Sequence, residues 1–87
     1  MTDAPKLTAL SCRAARALLG WPQGRLVQEA KVSPNTVAKV EDDESWTHGP
    51  PVTVATLAKL EAVFEAAGVE ILNGQAPGAR LRPRGDT

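Results

Sequence analysis

The stretch that decides the fold reads Pro22-Gln23-Gly24-Arg25-Leu26-Val27-Gln28-Glu29-Ala30-Lys31-Val32-Ser33-Pro34-Asn35-Thr36-Val37-Ala38-Lys39-Val40-Glu41. It holds two short helical patterns separated by three residues. The first, from about Pro22 to Ala30, turns Leu26, Val27 and Ala30 to one side. Pro22 suits its first turn, where the missing N–H would be unpaired in any case. The second opens at Ser33-Pro34, an N-cap serine followed by a first-turn proline. It turns Val37 and Val40 inward and leaves Pro34, Asn35, Ala38 and Lys39 facing out. Two short helices joined by a tight turn, the second polar on its outer face, make a helix-turn-helix pattern.

Working outward, Thr8 can cap an earlier helix whose apolar positions Leu10, Ala14, Ala17 and Leu18 follow i, i+4, i+7, i+8 spacing. Leu7 is placed to staple onto its first turn, and Gly20 stops it. Downstream, residues 42–52 form a polar loop that Gly49, Pro50 and Pro51 keep from being helical. Thr53 caps a fourth helix with Leu57, Leu60, Phe64 and Ala67 on one stripe, ended by Gly68. Val69-Glu70-Ile71-Leu72 alternates as a strand, Asn73-Gly74 through Pro77-Gly78 is turn chemistry, and Ala79-Arg80-Leu81-Arg82 alternates as a return strand. The expected architecture is all-α dominated, about four helices and a short C-terminal β-hairpin over residues 8–82. Residues 1–7 read as a loose arm and 83–87 as a frayed tail.

Eighty-seven residues make one small domain with little core, for which dimerisation would help. Aromatics are limited to Trp21, Trp46 and Phe64, so aliphatic residues and alanine must build that core. Trp21 is expected to pack the first helix against the second, and Trp46 either to fold back on the core or to mark a partner contact. One cysteine excludes an intrachain disulfide framework and a multi-cysteine zinc site, and Cys12 reads as a small buried apolar residue. His48 has no partner at metal-ligand spacing, so no metal or other cofactor is expected. No apolar run is long enough to span a membrane, and the start lacks the basic and apolar regions of a signal peptide, which points to the cytoplasm. Nothing resembles a nucleophile elbow or a phosphate-cradling glycine loop, which argues against an enzyme. Ten basic and ten acidic side chains cancel, but unevenly. Residues 1–40 carry six basic groups against Asp3 and Glu29, and Glu41-Asp42-Asp43-Glu44 then forms one acidic run.

Two runs carry a family resemblance. Arg13, Arg16, Leu18-Leu19-Gly20-Trp21, Gln23 and Leu26 lead into Ala30, Val32-Ser33, Thr36-Val37 and Val40-Glu41. Later come Thr56-Leu57, Leu60, Phe64-Glu65, Ala67-Gly68-Val69 and the Gly78-Ala79-Arg80-Leu81-Arg82 stretch. Together they resemble the phage-repressor helix-turn-helix family (Cro-like, or XRE), with its lambda-repressor-like fold, over roughly residues 7–82. The resemblance implies a sequence-specific DNA-binding transcriptional regulator, a repressor, whose third helix enters the major groove of double-stranded DNA. By that resemblance Gln23 meets a DNA phosphate. Asn35 and Lys39 read bases, with Pro34 at a further reading position. Ser33 and Thr36 make backbone or phosphate contacts, Arg13 is a phosphate candidate, and Arg16 and Glu41 form a structural ion pair. The chemistry fits: asparagine can pair bidentately with adenine, lysine can donate to guanine, and Ala38 is small enough to touch a thymine methyl.

The chain departs from the family at three places. Pro22 replaces a polar cap, Lys31 stands where the turn has glycine, and the acidic run replaces a small or basic turn. A homodimer on an inverted repeat is expected, with the fourth helix and the hairpin as the candidate dimer surface. The alternative is a protein-binding adaptor, antiactivator or antitoxin using the same fold, favoured by the acidic run and by Trp46.

Overall fold

A computed structural model describes residues 5–42, 51–72 and 78–82. Among them the chain forms α1 (Ala9–Leu19), α2 (Gln23–Ala30), α3 (Pro34–Asp42), α4 (Val54–Ala66), β1 (Val69–Leu72) and β2 (Gly78–Leu81). This is an all-α dominated arrangement of four helices and one antiparallel hairpin. The expected Trp46 and His48 roles, and the tail at 83–87, fall outside the described residues.

Local chemistry sets most of the boundaries. The Thr8 hydroxyl accepts from the Ser11 N–H at 3.0 Å while the Ser11 hydroxyl accepts from the Thr8 N–H at 2.8 Å, a reciprocal cap that opens α1. Gly20, at φ 68°, closes it in the left-handed conformation that a glycine adopts without a Cβ clash. Thr53 caps α4 through the Thr56 N–H at 3.2 Å. Ala67, expected on the buried stripe of α4, lies just past the helix end and is exposed.

The first helix presents a different face from the one its spacing suggests. Leu10 and Leu18 are 49% and 41% exposed and Ala17 is exposed, whereas Ala9, Ser11, Cys12 and Ala15 are buried. Eight of the eleven residues of α1 are alanine, leucine or cysteine, so apolar spacing alone leaves its rotation undecided. What decides it is Arg16, whose guanidinium reaches a buried carboxylate on α3 and draws the Cys12–Ala15–Leu19 side inward.

Lys6 and Leu7, read as the end of a loose arm, are held. Their N–H groups donate to the Glu61 carboxylate at 2.6 and 3.1 Å, and Leu7 is buried in the same core as Cys12. From α2 and α3, Leu26, Ala30, Val37 and Val40 enter that core, and α4 brings Leu57, Leu60 and Phe64. Trp21 packs over Phe64 with ring centroids 6.1 Å apart, so it ties the α1–α2 corner to α4 as well.

The hairpin pairs Val69 with Leu81 and Ile71 with Ala79, and α1 packs against both of its strands. Val69 and Ile71 are buried on the inner face. On the outer face Glu70 and Arg80, directly opposite each other, form an ion pair at 2.8 Å.

The reassigned face of α1 makes a simple prediction. Leu18→Ser should change the free energy of unfolding by less than about 1 kcal/mol. Leu26→Ala should cost about 2–5 kcal/mol. Urea denaturation of the two variants checks both, and the reverse order would restore the spacing-based face.

Candidate nucleic-acid interface

The α2–α3 corner is built by backbone closure at its turn. The Lys31 N–H and the Val32 N–H both return to the Val27 carbonyl, the latter at 3.3 Å. This closure puts Lys31 at φ 57°, in the left-handed region that a glycine would occupy freely. Ser33 then starts α3: its hydroxyl accepts from the Thr36 N–H at 3.2 Å and lies 2.9 Å from the Thr36 hydroxyl. The hydroxyls of Ser33 and Thr36 are thus engaged in the cap.

On α3 the two faces separate cleanly. Val37 and Val40 are fully buried, and Pro34, Asn35, Ala38, Lys39 and Asp42 are exposed. Among the described residues, no hydrogen bond or ion pair engages the side chains of Asn35 and Lys39. The start of α2 has no side-chain cap, because Pro22 offers none; the Arg25 N–H returns to the Pro22 carbonyl at 3.0 Å, which leaves the Gln23 and Gly24 amides at the open end.

Behind this surface lies the Glu41 carboxylate, only 4% exposed. One oxygen, Oε1, accepts from Arg16 Nη2 at 2.7 Å and from Gln23 Nε2 at 3.0 Å. The other, Oε2, accepts from Arg16 Nε at 2.8 Å and from the Cys12 thiol at 3.0 Å. Arg16 also donates to the Trp21 carbonyl at 2.9 Å. Arg13, a candidate for phosphate, donates instead to the Glu41 backbone carbonyl at 3.0 Å, a cation at the carboxyl end of α3.

The expected Arg16–Glu41 ion pair is therefore present and bidentate. The three further partners of Glu41 were not legible: Cys12 reads as merely apolar, Arg13 and Gln23 as DNA contacts. Gln23 keeps an exposed position at the start of α2, with its side chain tethered inward. Burial raises the pKa of Glu41, but the hydrogen bonds from Arg16, Cys12 and Gln23 outweigh it and hold the carboxyl below its usual range. Burial, then the hydrogen bond to Glu41, pushes the Cys12 thiol far up, which keeps it protonated and unreactive.

Among the described residues no group of three histidine, cysteine or acidic side chains could hold a metal ion. No family model matches the chain, and no curated protein matches it. The phage-repressor resemblance thus rests on the residues quoted for it.

Two predictions come from this geometry. A carboxyl whose folded pKa is depressed adds stability that is complete above the unfolded value of about 4.3 and disappears as pH falls through the folded one. Unfolding free energy should hold level above about pH 5 and drop below about pH 4. In Glu41→Gln the level part should lie lower and that acid limb should flatten. Equal acid slopes for the two proteins would contradict the assignment. At the turn, Lys31→Gly should raise stability by about 0.5–1 kcal/mol, the relieved strain exceeding the entropy of the added glycine. Thermal unfolding reads it, and a lower midpoint would show that Lys31 is unstrained.

Proposed function

We propose that this protein is a sequence-specific DNA-binding transcriptional regulator, a repressor of the phage-repressor-like helix-turn-helix class. It acts in the cytoplasm, without a cofactor and without catalysis. In this reading α3 enters the major groove, Asn35 and Lys39 meet base edges, and Ala38 admits close approach. Phosphates on either side meet Gln23 and the uncapped amino end of α2, which fix the register without reading sequence.

The observation that carries the reading is the outer face of α3. Its inner face is fully occupied by Val37 and Val40 in the core, while Asn35 in its first turn and Lys39 in its last turn stand exposed and unengaged on its outer side. A helix that ends a tight corner with its polar edge free is the form a groove reader takes. One module offers few contacts, so the regulator binds as a homodimer on an inverted repeat. The half-sites are then about one helical turn apart. Val54 on α4 and Leu81 on β2, 60% and 53% exposed, are the large apolar side chains those elements offer to a second copy. Among the described residues no helix is long and apolar enough to cross a membrane.

The adaptor or antitoxin alternative leans on the acidic run at 41–44. One of its four charges, Glu41, is turned inward and neutralised by Arg16, which weakens that argument.

Selection of bound duplexes from a random pool tests the proposal, with a palindromic motif as the expected result. On that motif Asn35→Ala should cost about 1–3 kcal/mol, concentrated at one base position. Lys39→Ala should either relax specificity in the same way or, if it meets phosphate, flatten the salt dependence by about one unit. Recovery of no motif, or a double alanine variant that binds every duplex as the parent does, would overturn it.

A further inference from the structure

We infer that Glu41 is a positioning residue for the phosphate-facing end of α2, acting through the side chain of Gln23. The inference rests on the DNA-binding reading and adds to it a division of labour. The buried carboxylate that joins α1 to α3 also sets a side chain that α2 would present to the DNA backbone.

Gln23 is the first residue of α2 and is exposed, so packing does not fix its carboxamide. What fixes it is the 3.0 Å hydrogen bond from Nε2 to Glu41 Oε1. A glutamine amide carries two N–H groups and a carbonyl. With one N–H committed to Glu41, the second is left to donate outward, toward an anion arriving at the uncapped start of α2. The anchor is rigid in turn. Both Glu41 oxygens are held by Arg16, and Oε2 is held as well by Cys12. The same guanidinium donates to the Trp21 carbonyl two residues ahead of Gln23, so the approach of the chain to α2 is set by the same pair.

A free glutamine would lose its rotamer freedom on meeting a phosphate, and one already tethered has less to lose. The tether also leaves no net charge to repel the DNA, because Arg16 neutralises the carboxylate that makes it.

The test has one part without DNA and one with it. In the DNA-free protein, 15N relaxation of the Gln23 side-chain amide should show motion nearly as restricted as the backbone. In Glu41→Gln that restriction should be reduced. A fully mobile carboxamide in the native chain overturns the inference whatever the protein binds, and this measurement needs no variant to fold.

On a selected duplex, Gln23→Ala should weaken binding roughly tenfold in the native background, the loss of one charge-assisted hydrogen bond. In the Glu41→Gln background it should weaken binding by no more than about threefold, because the amide there is already unset. Cys12→Ala, which removes a different donor from the same carboxylate, should leave affinity within about twofold. Equal Gln23→Ala factors in both backgrounds would refute the coupling even if the protein binds DNA. A native chain that binds no duplex would sink the DNA-binding reading and the clamp with it. A restrained Gln23 amide would then mark the hydrogen bond as purely architectural.

Discussion

A single buried carboxylate holds the three amino-terminal helices in register. Glu41 is taken out of water at the end of α3 and receives four hydrogen bonds, from Arg16 twice, from Cys12 and from Gln23. An ionised carboxylate without these donors would cost far more in desolvation than any packing gain could return. With them its charge is matched and its oxygens satisfied, and no buried side-chain polar atom among the described residues lacks a partner. A buried ion pair often adds little net stability over a well-packed apolar substitute. What this one contributes is geometry. It specifies which side of α1 faces α3 and where the chain enters α2.

That specification matters because the apolar signals are weak. The core consists mostly of alanine, valine and leucine around one phenylalanine, and α1 has apolar side chains on nearly every side. A helix of that kind can bury either of two faces at similar gain. The guanidinium of Arg16 breaks the tie, since turning it to solvent would leave Glu41 buried and unpaired. Leu10, Ala17 and Leu18 are the residues left outside.

The features legible in the sequence are those whose physics is local. Thr8, Gly20, Ser33-Pro34 and Thr53 act within a turn of themselves, and each does what its residue type dictates. The inward faces of α2 and α3 were legible as well, because polar residues occupy their other sides; on α4 the stripe held for Leu57, Leu60 and Phe64, and Ala67 fell outside it because the helix ends before it. The rotation of α1 was not, because the residue that settles it acts across twenty-five positions. The ion pair itself was readable only through the family resemblance. The parts played by Cys12, Arg13 and Gln23 are set by where one carboxylate ends up in space. A thiol in particular gives no hint in its neighbours that it will donate to an acid.

The same carboxylate changes how the charges of the chain should be weighed. A net charge of zero and an acidic run at 41–44 look hostile to a polyanionic partner. Yet long-range repulsion depends on charges that remain exposed, and solvent and salt screen even those within about 8–10 Å. Glu41 belongs to the interior and is cancelled there, and Glu29 and Glu70 are each paired with an arginine. On the outer side of the α2–α3 corner Lys31 and Lys39 stand exposed, with Asp42 the acidic group at the far end of the helix. Among the described residues, these are the exposed charges of the turn and of α3. Composition counts every carboxylate alike, whereas the fold counts only those it leaves facing water.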